Sequence, residues 1–139
     1  MKVLALDIGD QWTGTAISDP LGFMARPYQT VTTRELIDFL HTTFSKEKID
    51  TVVVGHPVTM KGTSSDQTKK VELFKAELEQ LFPTMKWILW DERLSSKRAE
   101  SHKHAKDKEA KMKAHSIAAA FFLDTYLLYR QSIKNEIDS

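Results

Sequence analysis

Apolar residues in the first ninety positions come in short runs, and each run stops at a polar or glycine-rich corner. Val3–Leu6 reads as a strand that meets Asp7; Gly9 and Gly14 bracket a turn, and Thr15–Ile17 reads as a second strand. Beyond Asp19-Pro20-Leu21-Gly22, Arg26–Thr30 reads as a third, and links this short predict an antiparallel meander. The period then changes. In TTRELIDFLHTTF, Leu36, Ile37, Leu40 and Phe44 recur at helical spacing, and Thr32 with Glu35 fits a capping box. Thr51–Val54 shows no alternation, as expected of a strand buried on both faces of a partly parallel sheet. After the loop GHPVTMKGTSS, Ser64 or Ser65 is placed to cap a helix lined by Val71, Phe74, Leu78 and Leu81 and closed by Pro83. Trp87–Trp90 is strand-like again and runs into Asp91-Glu92-Arg93. A further helix is expected to start near Ser95 or Ser96. A last one is expected from about Met112 to Tyr129, followed by a frayed tail over about 131–139.

Strand–helix–strand units cross over right-handedly, so Thr51–Val54 and Lys86–Trp90 should run parallel to the first strand. The expected fold is α/β: a mixed five-stranded sheet, three strands of antiparallel meander plus two parallel strands, flanked by helices. Sites in such sheets form beyond the carboxyl ends of the parallel strands. Asp7, Gly55-His56-Pro57 and Asp91-Glu92-Arg93 are the polar stops at that edge. In the last helix, His115 shares a face with Ala118, Ala119 and Phe122, and the alanines allow a close approach to the sheet. That spacing aims His115 at the edge bearing Asp7, whereas Asp124 should point elsewhere.

Composition narrows the chemistry. The 139 residues suit a single domain, and their 41% apolar content suits a globular one. Without cysteine, disulfides, thiolate metal sites and cysteine nucleophiles are excluded. Neither a signal peptide nor an apolar span of membrane length is present, and a cytoplasmic location is expected. The net charge is +1, yet Lys97, Arg98, Lys103, Lys106, Lys108, Lys111 and Lys113 crowd one stretch against only Glu100, Asp107 and Glu109. Such a stretch reads either as a solvated helix or loop, or as a contact surface for phosphates.

Four segments, DIGDQWTGTAISD, VVVGHPVTMKGT, DERLSS and KAHSIAAAFFLDTYL, stand in the order and spacing of the YqgF-type proteins, and the resemblance runs from Val3 to about Leu128. It implies a ribonuclease H-like fold and a nuclease of structured nucleic acid, either in 5′-end processing of pre-16S rRNA or in Holliday junction resolution. It also implies a divalent-metal site built by acids on the first strand, in "DER" and in the last helix. By position these are Asp7, Glu92 in preference to the adjacent Asp91, and His115, which stands where the family carries an acid. Trp12 stands where the family generally carries a basic residue.

On this resemblance, Asp7 and Glu92 are expected to hold Mg²⁺ or Mn²⁺. His115 contributes through nitrogen or positions a water, and an imidazole in the set favours Mn²⁺. Arg93 either contacts the scissile phosphate or pairs with Asp91 or Glu92. Lys61, Lys97, Arg98 and the lysines at 103, 106, 108, 111 and 113 would track a nucleic-acid backbone, with Trp12 stacking on a base. Expected partners are structured RNA or branched DNA and a pre-ribosomal particle, for a monomer or homodimer away from membranes. Two other readings compete: a nucleic-acid or ribosome-associated module of the same fold with little or no catalysis, and an ATP-binding protein of the sugar-kinase and actin class, whose phosphate loop DIGDQWTG loosely matches.

Overall fold

The computed structural model describes residues 1–57, 65–94 and 108–138. Its five strands are β1 (Lys2–Ile8), β2 (Trp12–Ser18), β3 (Ala25–Thr32), β4 (Ile49–His56) and β5 (Lys86–Asp91); its helices are α1 (Leu36–Lys46), α2 (Asp66–Leu81) and α3 (Lys108–Asp138). They form one sheet in the order β3-β2-β1-β4-β5. The pairs β1–β2 and β2–β3 are antiparallel, and β1–β4 and β4–β5 are parallel, as the pattern of runs and links predicts.

Strand alternation divides the core into two layers. Leu4, Leu6 and Ile8 of β1 join Val52 and Val54 of β4 under Leu36 and Leu40 of α1 and Val71 and Leu78 of α2. Val3 and Ala5 join Val53 on the other face, covered by Ala119, Phe122, Leu123 and Tyr126 of α3. The central strands therefore lack a polar face, which explains the unbroken apolar runs at Val3–Leu6 and Val52–Val54. Among the described residues, no helix is long and apolar enough to cross a membrane.

The helix starts differ from one another. Ser65 caps α2 as expected: its hydroxyl accepts from the Thr68 amide at 3.2 Å while Thr68 Oγ1 accepts from the Ser65 amide at 3.1 Å. Ser65→Ala is expected to cost about 1 kcal/mol, read as a lower urea midpoint at unchanged slope. The capping box expected at Thr32 and Glu35 does not form. Thr32 Oγ1 donates instead to the Glu35 carboxylate at 2.8 Å, and a 3₁₀ turn over Thr33–Glu35 precedes α1. The cause is tertiary: Thr33 donates its amide to the Gln11 carbonyl and its hydroxyl to the Gly9 carbonyl, which ties this corner to the β1–β2 loop.

The last helix is longer than expected at both ends, and residues 131–138 are helical rather than frayed. No glycine or proline interrupts this stretch. The Gln131 amide also donates to the Gly22 carbonyl in the β2–β3 turn, holding the helix against the sheet near its far end.

Candidate functional site

Asp7 sits on β1 two residues beyond Ala5, on the α3 face, and is only 1% exposed. Its cross-strand partner on β2 is Gly14. A Cβ at Gly14 would lie 2.1 Å from the His115 carbonyl carbon and 2.3 Å from its oxygen. The bare glycine is therefore what lets the α3 backbone rest on the sheet at this point. Ala118 and Ala119, both fully buried, continue the close approach. The result is the contact predicted from helical spacing: His115 Nδ1 lies 3.1 Å from Asp7 Oδ2. A carboxylate only accepts, so Nδ1 is the donor of this pair.

On the other side of Asp7, one register step beyond the Leu6–Val54 pair, stands Gly55 of β4. A Cβ there would fall 2.4 Å from Glu92 Oε1 and 2.9 Å from Phe122 Cε2. Gly55 thus vacates the space that the Glu92 carboxylate occupies on the α3 face. Glu92 itself is buried, at 7% exposure. Two glycines flank Asp7, one seating the helix that carries His115 and the other seating Glu92.

Asp91 is directed differently. Alternation along β5 places it with Trp87 and Leu89 on the α1–α2 face, paired in register with His56. Arg93 binds the Asp91 carboxylate with Nε at 3.0 Å and Nη2 at 2.6 Å, and its amide adds a third bond. That guanidinium holds the Asp91 carboxyl below the usual carboxylate range, and the carboxylate raises Arg93 in turn. His56 Nε2 pairs with Glu72 on the same side at 2.8 Å. Asp124 points elsewhere, as expected, accepting from the Ala25 amide on the edge strand β3.

The structure thus brings Asp7 and His115 into contact and sets Glu92 on their face, with Asp91 and Arg93 across the sheet. Among the described residues, no three His, Cys, Asp or Glu side chains are gathered closely enough to form a ready cation cluster. Trp12 opens β2, partly buried, and its carbonyl accepts the Gly9 amide at 2.9 Å. That bond also removes one amide from the phosphate cradle that an ATP-binding loop would need. Of the basic residues, Lys61, Lys97, Arg98, Lys103 and Lys106 lie outside the described residues, and Lys108 and Lys111 fall in the first turn of α3. Lys113 is exposed and pairs with Glu109 at 3.5 Å.

Gly14 and Gly55, which the sequence alone puts in a turn and a loop, lie inside β2 and β4. Their signal was available: a lone glycine inside a strand marks close approach by another group.

A family model described as "RuvX: Holliday junction resolvase" matches residues 1–129. The chain is 34% identical to a Flavobacterium johnsoniae protein named "Putative pre-16S rRNA nuclease", covering 91% of this chain and 95% of that one. A protein of the same name from Rubrobacter xylanophilus is 35% identical, with 91% of each chain covered. Among solved structures, Thermus thermophilus RuvC superposes with a TM-score of 0.57 at 13% identity over 95% of this chain and 97% of RuvC. The same RuvC in complex with a Holliday junction substrate gives a TM-score of 0.59 at 14% identity, covering 94% and 96%. At such identity the likeness is one of fold, and that fold is ribonuclease H-like.

Proposed function

The chain belongs to the RuvX family of Holliday junction resolvases, and from that premise we propose that it is a cytoplasmic, divalent-metal-dependent endonuclease. Its substrate is structured nucleic acid, first of all the 5′ end of pre-16S rRNA. The observation that carries this reading is the buried Asp7 carboxylate, touching His115 and sharing a sheet face with Glu92 at the strand ends where such folds do their chemistry.

The donors fit a hard cation. Asp7 and Glu92 offer carboxylate oxygens on one face, the donor type Mg²⁺ and Mn²⁺ take, and the imidazole between helix and sheet tilts the preference toward Mn²⁺. A bound ion would neutralise charge on the phosphate and make water a better nucleophile. His115, oriented by its Nδ1 contact with Asp7, would add a nitrogen donor to that donor set, and the proton of the attacking water passes to solvent. As the water oxygen bonds to phosphorus, the bond from phosphorus to one sugar oxygen breaks, and that oxygen leaves with a proton taken from solvent.

Wild type and Glu92→Gln, incubated with a 5′-extended 16S rRNA fragment and with a four-way DNA junction, test this reading in Mn²⁺ and in Mg²⁺. Wild type should cleave the RNA, faster in Mn²⁺, and Glu92→Gln should lose about a hundredfold or more. Junction cleavage by wild type would require two active sites and hence a homodimer. Binding by both proteins without cleavage by either would instead select a non-catalytic module, the reading favoured by the lack of a ready cation cluster among the described residues.

His115→Asp probes the same pair from the other side. It sets two carboxylates against each other where Asp7 is buried, so without a cation about 3 kcal/mol, or roughly 10 °C in melting temperature, should be lost. Millimolar Mg²⁺ should restore most of it and raise Mg²⁺-dependent cleavage. A melting curve indifferent to the ion would argue that position 115 faces no cation.

A further inference from the structure

Next to the Asp7 edge, on the opposite face of the sheet, the β1–β2 loop and α2 enclose a cleft of about 340 Å³. Ile8, Val71 and Phe74 form its floor, and Asp10, Lys70 and Glu77 stand among its lining residues. Leu73 also lines it and is 73% exposed. The loop wall is already fixed. Gln67 donates to the Ile8 carbonyl at 3.1 Å, Thr33 to the Gly9 carbonyl at 2.6 Å, and the Gly9 amide closes on Trp12.

We propose that this cleft is a subsite for one unpaired nucleobase adjacent to the scissile phosphate, with guanine the best-matched base. The proposal rests on the nuclease reading for its place in the reaction, but its binding chemistry stands separately. Gly9 lines the cleft, and a Cβ on it would lie 3.2 Å from His115 Cε1, so a single residue of backbone divides the imidazole from the cleft. The cleft therefore begins at the loop residue that touches the imidazole, where a strand passing the sheet edge would leave an adjacent base.

Charge decides which part of a nucleotide enters. Asp10 and Glu77 repel phosphate, and Lys70, which pairs with Asp10 at 3.5 Å, offsets only part of that. A neutral, flat group is admitted. The Phe74 ring and the aliphatic floor offer it a stacking face, as aromatic side chains do for splayed bases. Carboxylates at the cleft accept hydrogen bonds and give none, which favours a base edge rich in N–H donors. Guanine presents adjacent N1–H and N2–H groups to such an acceptor. The volume lies at the small end of ligand pockets, suited to a base with its sugar rather than a longer segment.

The test is a binding cycle in the full-length Asp7→Asn protein, so that cleavage does not consume the probe. The probe is a short single-stranded RNA with one guanine among uridines, compared with the same RNA carrying an abasic site in place of guanine. Removing the base should weaken binding about tenfold, and so should Phe74→Ala. Removing both should cost little more than either alone. Leu73→Glu, at an exposed position that the fold does not need, should give the same pattern if Phe74→Ala fails to fold. Equal binding of both RNAs, or variants that weaken both alike, would overturn the subsite. Wild-type cleavage is measured in parallel: coupling without cleavage would fault the nuclease reading alone, and cleavage without coupling would fault the subsite alone.

Discussion

Asp7→Asn is expected to stop cleavage while leaving folding and RNA binding close to wild type. Asparagine keeps the shape of the side chain, and its carbonyl oxygen still accepts from His115 Nδ1, so the fully packed position is not opened. What disappears is the negative charge. A hard cation loses a ligand, and even an outer partner of such a ligand is worth 10–100-fold in affinity or activity, so the loss here should exceed about a hundredfold. Cleavage of structured RNA in Mn²⁺, a thermal melt and filter binding on the same preparation check all three outcomes. Cleavage within a few-fold of wild type would remove Asp7 from the reaction.

The second large effect should come from a single methyl group. Gly14→Ala places a carbon 2.1–2.3 Å from the backbone of His115 and Ser116, atoms that cannot rotate aside as a side chain would. The helix must lift, and α3 covers the whole Val3–Ala5–Ala16–Val53 face. Overpacking usually costs about 1–3 kcal/mol; with backbone as the obstacle, about 3 kcal/mol or more is expected, a large share of a typical domain's stability. Gly55→Ala is the control. Its added carbon meets the end of the flexible Glu92 side chain and the edge of the buried Phe122 ring rather than backbone, so stability should suffer less than in Gly14→Ala and cleavage more than stability. Urea titrations of the two variants should rank Gly14→Ala well below Gly55→Ala. The reverse order would mean that α3 is not held at Gly14.

Most of the fold was legible because its signals are local. The runs at Val3–Leu6 and Val52–Val54, the turn after Asp19 and the Ser65 cap are decided within a few residues. The Asp7–His115 contact was legible as well, from a strand ending on an acid and a helix whose small face could approach it. Features set by distant contacts were not. Thr32 and Glu35 have the capping spacing, yet Thr33 is pulled to Gly9 and Gln11 from another part of the chain. Gly14 looks like a turn residue until the helix lying on it is known. Beyond Tyr129, Gln131 of α3 reaches Gly22 in the β2–β3 turn, a pairing no periodicity encodes.

The covering helix also sets when the Asp7–His115 pair can form. Asp7 and His115 stand 108 residues apart in the chain, and the imidazole sits on the element that covers one side of the sheet. Until α3 docks, that side is bare and the aspartate has no imidazole, so the pair is a product of the longest-range packing in the fold.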